Sequence, residues 1–288
     1  MTIVKLQGGL GNQMFQYAIA RSLSVWYGTD FALDHSFLET RIPDATHVIR
    51  HYDLDVFTLD APRATAKQLA PFFKSPGKRL LPFPKRYHCI TEPHYHFYPA
   101  VFEQSGHLYL DGYWQSERYF APVADMLRQD FRFRTPVQPE SQPLLSHIKS
   151  TPSVCLNVRR TDFVTNTFHV LCSMRYYHEA MNMVSNKVPG AQFFVFSDDV
   201  EWCREQFGNM PNMVIAGHEH SGHKFANYLQ LMAACAHFII PNSSFAWWAV
   251  WLANRPDAVV VAPNRWFNYP HWDVRDLMPA SWIKISPD

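Results

Sequence analysis

The sequence predicts an α/β protein built on parallel sheets and divided into two parts. Three observations carry this. Residues 153–263 alternate short apolar runs with stretches of helical periodicity, a pattern that gives a parallel sheet covered by helices on both faces. Residues 3–34 read as strand, turn, helix, strand. Residues 135–153, TPVQPESQPLLSHIKSTPS, are rich in proline and serine and mark a boundary, so domains are expected at 1–140 and 141–288.

Each element has its own signal. IVKL at 3–6 is a short apolar strand, GGLGNQ is a tight turn, and MFQYAIARSLSVWYG carries apolar residues at helical spacing up to Gly28. DFALD at 30–34 is the next strand. Residues 58–108 hold many prolines and aromatics and show little periodicity. HLYLDGYW at 107–114 is a strand, and Ser116 is placed to cap a helix over ERYFAPVADMLRQDF. The second part then runs SVCLNV, a helix from Ser173 to Val188, QFFVFS, a helix from Asp199 to Phe207, and NMVIAG. It continues with a helix over HKFANYLQLMAACA, the strand FIIPN, a helix over SSFAWWAVWLANR and the strand AVVVAP.

At 288 residues and 33.5 kDa the chain can bury a large core. Hydrophobic residues at 47% and charged residues at 18% exclude a disordered chain. Lys+Arg at 26 against Asp+Glu at 25 leaves no general basic footprint for nucleic acid, so any anion site is local. Cys89, Cys155, Cys172, Cys203 and Cys235 are scattered without C-x-x-C spacing, which fits neither a disulfide framework nor a zinc site. Neither a signal peptide nor a membrane-length apolar run is visible, so a cytoplasmic location is expected.

Ligands of open parallel sheets sit at the carboxyl ends of the strands. SVCLNV delivers Asn157, Arg159, Arg160 and Asp162 there; QFFVFS delivers Ser197, Asp198 and Asp199; FIIPN delivers Asn242, Ser243 and Ser244, followed by Phe245. Arginine forks and the amides of a helix start suit a diphosphate, and a carboxylate can accept the two N–H donors of guanine. Together these groups read as a nucleotide diphosphate pocket. Each also has a plainer explanation: a solvated strand end for the arginines, helix caps for Asp199 and Ser243, a closed turn for Asn242. In the first part, Gly9 and Gly11 allow close backbone approach, and Asn12 and Gln13 supply neutral amides able to grip a sugar or a departing phosphate. GGLGNQ lacks the third glycine of a dinucleotide fingerprint. Asp53 and Asp55 match a minimal D-x-D metal pattern, but without strand-end context they read as structural. Tyr113 and Trp114 suit either sugar stacking or core packing.

GGLGNQMFQYA, GYWQSERYF, NVRRTDF, FSDD and NSSFAWWAVWL occur in that order. Together they resemble the bacterial α-1,2-fucosyltransferases of glycosyltransferase family 11, over nearly the whole chain. The resemblance implies a GT-B-like architecture with two Rossmann-like domains facing a central cleft, GDP-fucose as donor, a β-galactoside acceptor, inversion at the fucose anomeric carbon and no metal. By the same resemblance Arg159 and Arg160 bind the diphosphate. Ser243, Ser244 and the Phe245 N–H hold phosphate oxygens, and Asp198 or Asp199 reads guanine. Gly9, Gly11, Asn12 and Gln13 line the cleft from the acceptor half. The family usually has His where this chain has Asn157, Gly at Thr161 and an acidic residue at Tyr228; asparagine cannot carry a proton. No general base stands out. Two alternatives stay open: a same-fold transferase with another nucleotide sugar or hydroxyl, and a non-catalytic GDP-sugar-binding protein. Lys74, Lys78, Arg79, Lys85 and Arg86 within 74–88 suggest peripheral contact with anionic lipid, which would suit a lipid-linked acceptor at the inner membrane.

Overall fold

The computed structural model describes residues 1–40, 50–73, 87–269 and 271–288. The chain forms two compact units: Met1–Arg132 with Arg275–Leu277, and Phe133–Val274 with Met278–Asp288. The division lies ahead of the expected 140/141, and the return of 275–277 to unit 1 has no sequence signal. Asp276 is what ties that segment to unit 1. It accepts the Phe97 N–H at 2.9 Å and pairs with Arg118 at 3.2 Å.

Unit 1 contains β1 (Thr2–Lys5), α1 (Leu10–Tyr27), β2 (Phe31–Asp34), α2 (Ser36–Thr40), α3 (Ala66–Phe73), β3 (Tyr87–Thr91), β4 (His107–Asp111) and α4 (Ala124–Asp130). Its four parallel strands run in the order β2-β1-β4-β3. The apolar side chains Ile3, Val4, Leu33, Leu108 and Leu110 are buried, which fixes the register against α1. α1 ends where Gly28 adopts φ 59°, a left-handed cap that glycine takes at no steric cost. The helix expected after Ser116 is interrupted. Ser116 caps only the single turn Glu117–Tyr119, a second turn spans Ala121–Val123, and α4 starts at Ala124. Pro122 has no N–H to continue the ladder from the preceding turn.

Unit 2 contains α5 (Gln142–Ser150), β5 (Ser153–Val158), α6 (Thr161–Thr165), α7 (Met174–Lys187), β6 (Gln192–Ser197), α8 (Val200–Phe207), β7 (Met213–Ile215), α9 (Ala226–Ala233), β8 (His237–Ile239), α10 (Ser244–Ala253), β9 (Val260–Pro263) and β10 (Ile283–Ile285). Six parallel strands run in the order β10-β9-β8-β5-β6-β7. Counted from β5 this is the 3-2-1-4-5-6 order of a Rossmann sheet. β5 is buried throughout, and Val154, Leu156 and Val158 pack with Tyr176, Tyr177, Val184, Cys203 and Phe207 of the covering helices. That continuous burial is why the strand reads as an unbroken apolar run. Among the described residues no helix is long and apolar enough to cross a membrane. The lipid-contact expectation falls on 74–86, outside the described residues.

Candidate functional site

The Rossmann order fixes where unit 2 accepts a ligand. The strand order reverses between β5 and β8, and the crevice at their carboxyl ends is the binding position of such sheets. β5 leads directly into Arg159 and Arg160; β8 leads through Asn242 and Ser243 into α10. β6, the other neighbour of β5, delivers Ser197, Asp198 and Asp199 to the same edge.

The adjacent arginines do not splay to opposite faces. At Arg160 the backbone leaves the extended conformation (φ −134°, ψ −65°) to open α6, and both forks reach the acidic loop after β6. Arg159 places Nη2 2.5 Å from Asp162 Oδ1 and Nη1 2.9 Å from Asp198 Oδ2. Arg160 donates Nε to Asp199 Oδ2 at 3.2 Å and its backbone N–H to Asp198 Oδ1 at 2.9 Å. The Thr161 hydroxyl also bonds Asp198 Oδ2. Arg160 lies 4.0 Å over the Trp202 ring, and Arg159 5.5 Å from that of Phe163. Two guanidiniums thus meet three carboxylates in a partly buried setting, where charge pairing is stronger than in water. Asp199 also caps α8 by accepting the Trp202 N–H at 3.2 Å. Both carboxylates expected to read guanine are engaged here with the arginines.

On the β8 side, Ser243 caps α10, its hydroxyl accepting the Ala246 N–H at 3.4 Å. Phe245 lies in the first turn of α10, where amides have no carbonyl one turn earlier and the helix end is electropositive. Asn242 is buried; its Nδ2 donates to the Trp266 carbonyl at 2.7 Å, while Oδ1 has no hydrogen-bond partner. Asn157 sits within β5 and donates to the Phe196 carbonyl at 2.9 Å. Ser197 accepts the Asp199 N–H at 2.9 Å. These three residues therefore frame the site. Tyr228, at the position where the resemblance implies an acidic residue in the family, is buried and donates to the Ala216 carbonyl at 2.9 Å.

In unit 1 the strand order reverses between β1 and β4, and the loops after those strands meet. Gln115 Nε2 donates to Asn12 Oδ1 at 2.7 Å. Gly8, at φ 77°, turns the chain so tightly that a Cβ would lie 2.3 Å from Asn12 Nδ2. Gly9 accepts the N–H groups of Asn12 and Gln13 at 3.0 and 3.1 Å to start α1, whose second residue is the buried Gly11. Gln13 is fully buried and serves the fold: Nε2 donates to the carbonyls of Gly8 (3.0 Å) and His51 (2.7 Å), and Oε1 accepts the Asp53 N–H at 2.9 Å. Asp55 lies on the single turn Leu54–Val56 that Asp53 opens. Among the described residues no three His, Cys, Asp or Glu side chains are grouped to hold a metal ion.

A family model for Glycosyl transferase family 11 matches residues 83–286. The chain belongs to this family. It is 31% identical to the Alpha-1,2-colitosyltransferase of Escherichia coli, over 99% of both chains. It is 29% identical to the O-antigen biosynthesis glycosyltransferase WbnK of Escherichia coli, over 97% of this chain and 99% of the relative. With Galactoside alpha-(1,2)-fucosyltransferase 2 of Bos taurus it shares 26% identity over 88% of this chain and 69% of the relative. A solved GDP complex of Arabidopsis thaliana FUT1 has the same fold, with TM-score 0.55, 11% identity and coverage of 90% and 69%. The protein is a family 11 glycosyltransferase with the α/β architecture of the GT-B class.

Three features of this glycosyltransferase have no simple sequence signal. Trp202 carries the Arg160 guanidinium on its ring, though in sequence it reads as one more helix residue. The loop between β7 and α9 holds Lys224 and Phe225 at φ 53° and 60°, two successive non-glycine residues in the left-handed region on the carboxyl edge of the sheet. Glu92, directly after β3, accepts the N–H groups of Tyr113 and Trp114 at 2.7 and 2.9 Å; burial pushes its carboxyl up to about 7 despite these two bonds.

Proposed function

We propose that the chain transfers L-fucose from GDP-fucose to the 2-hydroxyl of a terminal β-galactoside, with inversion and without a metal. The product would belong to an O-antigen or similar surface glycan assembled on the cytoplasmic side, on an acceptor that is free or lipid-linked. The observation that carries this reading is the Arg159–Arg160 pair at the carboxyl end of β5, on the same edge of the Rossmann sheet as the loop from β8 into α10. Those groups offer two guanidiniums, two serine hydroxyls and helix-start amides to one diphosphate.

In the proposed reaction the transition state is dissociative: the bond from fucose C1 to the β-phosphate oxygen breaks ahead of the bond that the galactose 2-oxygen forms to C1. The electron pair stays on that oxygen, where Arg159 and Arg160 stabilise the charge as it develops. The diphosphate takes over guanidinium donors that Asp162, Asp198 and Asp199 satisfy in the structure. The hydroxyl proton ends on the departing phosphate, so no side-chain base is required. Asn157 suits this scheme, because it cannot hold that proton. Asn12 would grip the acceptor sugar with its carboxamide.

A second reading concerns the donor. The Escherichia coli colitosyltransferase shares the whole length of the chain, and colitose is L-fucose without its 3-hydroxyl. A binding site that hydrogen-bonds that hydroxyl rejects the deoxy sugar strongly, whereas an apolar one discriminates weakly. Initial rates with GDP-fucose, GDP-colitose and GDP-mannose on a β-galactoside decide this. A preference for GDP-fucose supports the proposal; a preference for GDP-colitose moves it to the second reading. GDP-fucose bound without any release of GDP would leave a binding protein instead of an enzyme.

A further inference from the structure

We infer that Glu92 is a positioning residue for the acceptor, acting through the turn that aims Gln115 at Asn12. This rests on the reading of unit 1 as the acceptor-binding part. Trp114 is the only residue of this turn forced into the left-handed region, at φ 56°, and it is a bulky side chain with no exposed surface. A non-glycine residue in that conformation is held there by its surroundings. Here the hold is Glu92. One carboxylate oxygen takes the Tyr113 N–H and the other the Trp114 N–H. Its own N–H donates to the Asp111 carbonyl at 2.8 Å, which fixes the end of β3 against the end of β4. Gly112 leaves the room: a Cβ there would lie 2.4 Å from Glu92 Cβ and 2.8 Å from Oε2.

The turn delivers Gln115 with Nε2 on Asn12 Oδ1, and Ser116 closes it with an N–H bond to the Trp114 carbonyl at 2.9 Å. Glu92 therefore orders a contact that joins the loops after β1 and β4, at the carboxyl edge where unit 1 would take its ligand. The Glu92 carboxylate is partly buried, and both N–H bonds it accepts are charge-assisted, so they fix the turn more firmly than neutral bonds would.

Glu92→Gln tests this. A glutamine can accept only one of the two N–H groups and turns a donor toward the other. The expected result is a rise of roughly ten-fold or more in acceptor KM, consistent with loss of one charged hydrogen bond, while the donor KM and acceptor-independent hydrolysis of GDP-fucose stay within about two-fold. Gln115→Ala should reproduce the acceptor defect, and the two changes together should cost little more than either alone, as coupled residues do. Equal effects on donor and acceptor, an unchanged acceptor KM, or additive effects of the two changes would overturn the inference. If the parent protein transfers to no galactoside, the proposed function fails on its own. Amide hydrogen exchange at Tyr113 and Trp114 then decides for Glu92: faster exchange in Glu92→Gln supports it, and unchanged exchange overturns it.

Discussion

At the scale of single residues, the arginine pair concentrates the chemistry. Arg159 and Arg160 differ in what holds them. Arg159 is shared between Asp162 and Asp198, whereas Arg160 has one side-chain carboxylate, Asp199, and rests on Trp202. Loss of either guanidinium should lower kcat by ~10²–10³, the usual cost of one preorganised donor at a developing negative charge. Arg160→Lys should recover little of this, because an ammonium is a point charge that matches neither the fork geometry nor the stacking on Trp202. Single-turnover rates with GDP-fucose check both; a lysine variant at parental rate would remove Arg160 from the transition state. What was legible at this scale was residue type and not use. NVRRTDF and FSDD are visible as motifs, but the engagement of Asp198 and Asp199 with the arginines depends on β5 and β6 being neighbours, which no local pattern states. Gln13 reads as a ligand-binding amide because sequence cannot show that the fold consumes its hydrogen bonds.

At the scale of elements, legibility follows burial. β5, β6 and β9 are apolar because they are buried, so their periodicity is unambiguous. β3 (YHCIT) alternates between half-buried and exposed positions and was lost in an irregular stretch. α5 lies inside the proline- and serine-rich segment read as a boundary; Pro143 falls in its first turn, where the missing N–H costs nothing. The helix expected over HKFANYLQLMAACA starts only at Ala226, because Lys224 and Phe225 take left-handed backbone angles first. β10 is a three-residue strand with the exposed Lys284 at its centre, so it lacks the apolar run that makes the equally short β7 and β8 visible. The site was legible in outline because GT-B sheets collect ligand groups at carboxyl ends; Glu92 was not, because its partners are the backbone amides of a turn distant in sequence.

At the scale of the whole molecule, the two units carry partly buried ionisable groups of opposite sign. Glu92 in unit 1 is raised to about 7 from 4.5 by burial. Its contribution to stability is fully present below the unfolded value and is lost as pH rises through about 7. His169 in unit 2 is lowered to about 4 from 6.5, again chiefly by burial, with Nδ1 unpartnered and the ring stacked 4.4 Å from Phe163. Its contribution is present above the unfolded value and is lost as pH falls toward about 4. Each shift corresponds to on the order of 3 kcal/mol. Thermal melts between pH 5 and 8 should therefore show Glu92→Gln gaining stability relative to the parent as pH rises, and His169→Phe gaining as pH falls. A Glu92→Gln protein that is more stable yet poorer with acceptor would mark a group kept for function at the expense of stability. A parent–variant difference constant across that range would contradict the burial argument.

The most direct test of the central claim is release of GDP from GDP-fucose, with and without a β-galactoside, in the presence of EDTA. The account predicts acceptor-dependent release without a divalent ion, with the product carrying fucose on the galactose 2-hydroxyl by NMR. Release that appears only after a divalent ion is added would contradict metal-free departure assisted by Arg159 and Arg160, and would return attention to Asp53 and Asp55.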